Sequence, residues 1–375
     1  MRNFQNQLGM LAILCVILSS CAQTGPPLPP SLELPKPPTD LIASRKGSRV
    51  TLSWSEPTLT TDRQSVRYLG STRICRTLEV EMKECGFPVA QLAPPAKTGA
   101  GQPQVQTYTD TLSVEIQEQN ATKEITYAIE VPNRDGRSAG LSNRVQVPAA
   151  PALPPPSNFA AQTTASGVEL TWDGESDAPG VPEISHRYRV YRREAGGGKD
   201  VVVGEAPLQT AGPVRLMDQS FDWGKTYLYR AEVVTTVNLG LRPCANAAAQ
   251  GADCAEVHEV EGDDTAEVRV AATDVFPPGV PAGLQAVFSG AGRQAFIDLI
   301  WAPVTDADLG GYNVYRREGN GAVVKLNAEL VKSPSYRDPA VAAGKEYFYS
   351  VSSVDVRGNE SGRSEEASES VPANP

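Results

Sequence analysis

The sequence predicts an all-β protein assembled from three similar β-sandwich domains, and three observations carry that expectation. Composition is 40% apolar, 21% charged and only 6% aromatic, with 31 Pro and 32 Gly in 375 residues, which suits many short strands and turns better than long helices. The decapeptides YRVYRREAGG (188–197) and YNVYRREGNG (312–321) stand 124 positions apart (312 minus 188) and share seven of ten letters. Both alternate between two faces, as a strand does and a helix does not. The length leaves room for two or three domains with a core in each.

In chain order, the amino terminus comes first. Arg2 is the one charged residue of the first twenty, and Leu8 to Leu18 is a mostly apolar run of eleven, too short to span a bilayer but right for a signal-peptide core. The LSSC that follows, Leu18 to Cys21, resembles the bacterial lipobox. That resemblance implies a signal peptide over 1–20 and a lipid attached to Cys21. The alternative is an ordinary secretory signal with Cys21 as the first mature residue. A lipidated Cys21 would hold the chain at a membrane without a transmembrane helix. Loss of residues 1–20 removes one positive charge, taking the formal charge from -10 to near -11.

The stretch AQTGPPLPPSLELPKPP, residues 22–38, is too Pro-rich to form a core and favours an extended polyproline II conformation. It reads as a tether over 21–36, able to lift the first domain by up to about 50 Å at roughly 3.1 Å per residue. A recognition motif for a proline-binding domain is the other reading.

Around each copy of the repeat, further elements recur in order. A Pro-rich opening begins each unit: PPTDLIA from Pro37, PPPSNFAA from Pro154 and PPGVPAGLQAV from Pro277. An alternating strand ending in Trp follows: VTLSW to Trp54, VELTW to Trp172 and FIDLIW to Trp301. An apolar-x-Asp step (Tyr108 and Asp110, Leu216 and Asp218, Tyr336 and Asp338) then precedes a last long strand: ITYAIEV from Ile125, GKTYLYRAEVV from Gly224 and GKEYFYSVSSV from Gly344. The units are too long for a solenoid repeat and match independent domains over 37–147, 154–272 and 277–371.

This ordered set resembles the fibronectin type III domain, a sandwich of the immunoglobulin-like class. The resemblance implies that Trp54, Trp172 and Trp301 are core, covered from the facing sheet by the YxVYR strand. It also implies that Tyr227 and Tyr347 are tyrosine corners, whose hydroxyls tie a turn back to upstream backbone. The first unit departs, with Ile125 at the corner position and RYLGSTRICRT in place of YxVYR.

Beyond Cys15 and Cys21 the chain holds Cys75, Cys85, Cys244 and Cys254, two pairs each ten apart. In an oxidising compartment local disulfides are expected. A four-Cys zinc site is the alternative, although CxxC spacing is missing. The second pair falls within a long connection of the second unit, 28 residues from about Asn238 to Thr265, where the third unit uses about ten. Long loops in compact domains are often functional. Its acidic residues Asp253, Glu256, Glu259, Glu261, Asp263 and Asp264 are the candidate partner-binding set, weighed against a solvated insertion carrying a small extra hairpin. A calcium site lacks the Asp-x-Asp-x-Asp-Gly spacing.

Enzyme chemistry finds little to build on. There are two histidines, His186 and His258, and no HExxH. His186 reads as a surface loop residue, and Asp306 and Asp308 as turn formers. The negative charge argues against nucleic acid, which needs clustered Lys and Arg. The expectation is a non-catalytic, lipid-anchored protein of the cell envelope, with no cofactor and no metal. Ala22 after Cys21, rather than Asp, favours the outer membrane. The partner would be a polysaccharide, in adhesion or glycan binding, or an envelope protein, in a secretion or polysaccharide-export complex.

Overall fold

The computed structural model describes residues 32–95, 104–176, 180–208, 212–243, 253–289 and 294–373, with 241–243 and 253–256 described by their backbone. The chain divides between Ala150 and Pro151 into two compact units, the first holding one sandwich and the second two. Strand alternation around Trp produces each sandwich, and among the described residues the strand pairs within each sandwich are antiparallel.

The first sandwich contains β1 (Ile42–Lys46), β2 (Arg49–Ser55), β3 (Thr72–Thr77), β4 (Ala90–Leu92), β5 (Val105–Thr111), helix α1 (Val114–Gln119), β6 (Glu124–Glu130) and β7 (Val145–Pro148). One sheet runs β1-β2-β5 and the other β4-β3-β6-β7. Val50, Leu52 and Trp54 of β2 point inward on alternate positions and meet Ile74, Ile125, Tyr127 and Ile129 from the facing sheet. The end of the Pro-rich stretch belongs to this domain: Leu34 accepts from Thr61 N, Lys36 N donates to Leu59, and Asn133 Nδ2 donates to Leu32.

The second sandwich contains β8 (Ser157–Thr164), β9 (Gly167–Gly174), β10 (Ile184–Glu194), β11 (Val201–Pro207), β12 (Gly212–Asp218), β13 (Thr226–Pro243), β14 (Asp253–Glu261) and β15 (Val268–Ala271). Its sheets are β8-β9-β12 and β11-β10-β13, where β13 carries β15 along its first half and β14 along its second. The third contains β16 (Gln285–Ser289), β17 (Phe296–Ile300), β18 (Leu309–Glu318), β19 (Val324–Lys325), β20 (Ser335–Asp338), β21 (Glu346–Asp355) and β22 (Ala367–Ser370), as β16-β17-β20 facing β19-β18-β21-β22. Trp172 and Trp301 anchor these cores, packed edge-on against Tyr188 and Tyr312 at 5.3 and 5.2 Å between ring centroids.

The described residues of the 238–265 stretch carry the extra hairpin that was one reading of the insertion: β13 runs to Pro243 and pairs back with β14, with a bulge between Asn238 and Leu241. One feature departs from the sequence reading. His186 lies within β10, opposite Thr235, rather than in a loop. The first sandwich also replaces the tyrosine corner by α1, capped by Ser113 at Ile116 N, with buried Gln117 donating to Leu112 O at 3.0 Å.

Within the second unit, the two sandwiches share a built joint. Arg357 pairs with Asp274 at 3.0 Å and lies over the Trp223 ring, which in turn meets Phe276 at 6.4 Å. Ser353 Oγ donates to Gly279 O at 2.6 Å.

Candidate functional site

The repeated Arg, Asp and Tyr of the sequence pattern converge inside each domain. In the second sandwich the buried Asp218 carboxylate accepts from Arg192 at 2.6 Å and from Tyr229 at 2.9 Å. Asp110 with Arg76 and Tyr127, and Asp338 with Arg316 and Tyr349, repeat it. Burial alone would raise the Asp218 carboxyl, but hydrogen bonds from Ser220, Tyr229 and Arg192 outweigh it and hold the group below its usual range. Burial, with the Asp338 carboxylate alongside, pushes the Tyr349 phenol well above its ordinary value. These residues are mutually satisfied ties between sheets, and their chemistry is structural.

The expected tyrosine corners have the corner geometry: Asp222 N donates to Tyr227 Oη and Ala342 N to Tyr347 Oη, both at 3.0 Å. The guanidinium of each domain's tie covers the same ring, Arg192 over Tyr227 and Arg316 over Tyr347, each at 5.0 Å.

Of the acidic candidates on the β13–β14 hairpin, Glu259 bridges Arg187 and Arg189, and Asp264 pairs with Arg230. Burial works against the ionised Glu259, and the two arginines more than compensate, lowering it. Its charge is thus already answered within the sheet face of β10. Asp253 and Glu256 fall on β14, and Glu261 lies opposite Val234. Asp263 follows just beyond the strand and is half-buried. Cys21 and Cys244 lie outside the described residues, and so does a Cys244–Cys254 pairing.

Cys75 and Cys85 are bonded. Cys75 occupies the β3 position that Tyr191 and Tyr315 hold in the other two YxVYR strands, so the bond replaces an aromatic with a covalent clamp. The clamped segment borders an open groove of about 670 Å³ lined by Arg76, Glu79, Glu81, Lys83, Glu84 and Phe87. Phe87 is 98% exposed and Val80 75% exposed. Sequence reasoning missed this face; the cysteine pair and the irregular stretch after it were its only local signals.

A second acidic cluster sits at the joint of the second unit, where ligand oxygens of Asp274, Asp308 and Asp355 lie within 4.8 Å of one another. Two of the three are engaged: Asp355 accepts from Arg357 N, Asn359 N and Asn359 Nδ2, and Asp274 from Arg357 and Phe276 N. Asp306, expected as a turn former, accepts from Gly279 N at 2.7 Å. The two histidines lie on β10 and β14, the strands flanking β13, opposite Thr235 and Val237.

No family model matches the chain. Among curated proteins it is similar to the amylopullulanases of Thermoanaerobacterium thermosulfurigenes (35% identical over 94 residues, 25% of this chain), Thermoanaerobacterium saccharolyticum (36% over 88 residues, 24%) and Thermoanaerobacter thermohydrosulfuricus (40% over 87 residues, 23%). The match covers 5% of the first relative's length and 6% of each of the other two. Among solved structures it is similar to a Fn3-like protein from Clostridium thermocellum (32% identical, 26% of this chain and 97% of that one, TM-score 0.22). It is also similar to the FN1-FN3 domains of chicken CNTN1 (14% identical, 90% and 99%, TM-score 0.24).

Proposed function

We propose that this chain is a non-catalytic module of the cell envelope, displayed from a membrane by a lipid on Cys21 and binding a polysaccharide or scaffolding at the surface of its first sandwich. One observation carries the binding half: Phe87, 98% exposed, stands beside a groove on a segment held by the Cys75–Cys85 bond. A flat ring offers sugar C–H faces a stacking platform, and Glu79, Glu81 and Glu84 offer acceptors for hydroxyls. The disulfide reduces the ordering entropy that binding would otherwise cost. Short matches to amylopullulanases, whose name denotes glycan-active enzymes, are compatible with a glycan-associated role for a single domain of this kind.

The absence of catalysis is part of the proposal. The titratable residues repeated in all three domains, Arg192, Asp218, Tyr229 and their counterparts, are spent on ties between sheets. The display half rests on Leu8 to Cys21 and is tested by membrane extraction followed by mass spectrometry of the amino-terminal peptide. An acylated Cys21, with release of the chain by Cys21→Ala, is the expected outcome; a free thiol on a secreted chain would remove the anchor from the account.

A second reading is an accessory subunit of an envelope secretion or polysaccharide-export complex. The 75% exposure of Val80 beside Glu79 and Glu81 favours it, since an apolar contact ringed by carboxylates fits a basic protein segment.

A further inference from the structure

Because the three sandwiches follow one plan, a place where one departs from the other two isolates the effect of the departure. In the second and third, the hydroxyl of the Tyr packed on the core Trp ends on a backbone N–H three residues past that Trp. Glu175 N donates to Tyr188 Oη at 2.8 Å, and Val304 N to Tyr312 Oη at 2.9 Å. In the first sandwich both halves of that bond are gone. Thr72, four residues before Arg76 as Tyr188 is before Arg192, stands in the ring's place. Pro57, which has no N–H, stands three past Trp54. Between Trp54 and Pro57 comes Glu56, only 7% exposed.

The exchange removes a phenol ring and leaves polar atoms behind. Trp54 Nε1, Glu56 Oε2 and Thr72 Oγ1 are all buried and make no hydrogen bond to the chain. Trp172 and Trp301 Nε1 share that state, so the carboxyl and the hydroxyl are what set the first domain apart. Glu56 N already donates to Gln104 O at 2.9 Å, and the side-chain Oε2 is the atom left without a partner. Burial lifts its carboxyl above the ordinary range; the nearby Trp54 indole N–H pulls it back without reaching hydrogen-bond geometry.

We infer that the first sandwich holds a hydrated internal site at Trp54, Glu56 and Thr72, with water as its ligand. An indole donor, a carboxyl acceptor and a hydroxyl that can do either supply the two to four partners a buried water requires. The exchange trades a phenol for a carboxyl, since Glu56 stands where the second sandwich has Gly174, and one water needs only about 10–15 Å³ of probe-occupied space. A metal cation fits poorly, because it asks for several oxygen ligands and one of these three groups presents an N–H.

The test is a crystal structure of residues 22–375 at a resolution that orders internal waters. Water density bonded to Trp54 Nε1 and to Glu56 Oε2 or Thr72 Oγ1, with none at Trp172 or Trp301, is expected. A dry contact in which the Glu56 carboxyl bonds Trp54 or Thr72 directly overturns the inference, and so does water at all three tryptophans. In solution, the triple substitution Glu56→Gly, Pro57→Glu, Thr72→Tyr transplants the second sandwich's set into the first. A raised Tm of the first sandwich is expected as the ring displaces water; a Tm lowered by the transplant means the site is already closed by its own side chains and counts against the proposal.

Discussion

The Arg192 guanidinium lies 2.6 Å from the Asp218 carboxylate across the second sandwich, with the carboxylate 1% exposed. The same relation holds between Arg76 and Asp110 and between Arg316 and Asp338, each at 2.7 Å. Three independent copies of one buried pair, each completed by a Tyr hydroxyl, mark it as the element that fixes how the two sheets of every domain face each other.

Removing one member leaves the other charge buried and unanswered, which typically costs about 3–5 kcal/mol. Asp218→Ala is therefore expected to destabilise the second sandwich by that order, read as loss of amide protection in β9 and β13. An effect on the order of a surface pair, below about 1 kcal/mol, would mean that the pair contributes geometry without stability.

Acid should weaken the same tie in a definite direction. The folded Asp218 carboxyl titrates below its ordinary value of 3.8. Its stabilising contribution is thus complete above that value and lost as pH falls through the lower folded one. Unfolding free energy of the second sandwich should drop with acid in that window, and Asp218→Asn should flatten the drop; an unchanged slope would refute the assignment.

The corner hydroxyls predict a smaller, local effect. Tyr347→Phe deletes the bond from Ala342 N and keeps the ring under Arg316, so roughly 0.5–1.5 kcal/mol should be lost from the third sandwich. Exchange of the Ala342 amide should rise selectively.

Reduction of Cys75–Cys85 opens a loop between residues ten apart and should lower the stability of the first sandwich by about 2–3 kcal/mol on chain-entropy grounds. Chemical denaturation with and without reductant measures it, and the cores around Trp172 and Trp301 serve as unaffected controls.

How much was legible in the sequence depended on the range of the contact. Trp54, Trp172 and Trp301 were readable as core because strand alternation is a local signal. The Arg–Asp–Tyr ties were half visible: each residue stood out in the repeat, yet Arg192 and Asp218 meet across 26 positions that no periodicity links. Helix α1, six residues long, is shorter than the window in which helical spacing can be recognised. The β13–β14 hairpin was legible only as one of the readings of the insertion, because its bulge at Asn238 and Leu241, beside Gly240 at φ 83°, breaks the alternation. The Phe87 face had no signature beyond the cysteine pair and the irregular stretch after it, since exposure is decided by what fails to pack against a side chain.

Binding at that face is the central claim, and one measurement addresses it most directly. The soluble chain 22–375, its Phe87→Ser variant and a variant lacking residues 244–252 would be passed over immobilised polysaccharides and over detergent-extracted envelope proteins. The account predicts saturable retention that falls about tenfold or more with Phe87→Ser, as loss of an aromatic anchor should, and that survives removal of 244–252. Retention indifferent to Phe87, or no retention in either format, would contradict it.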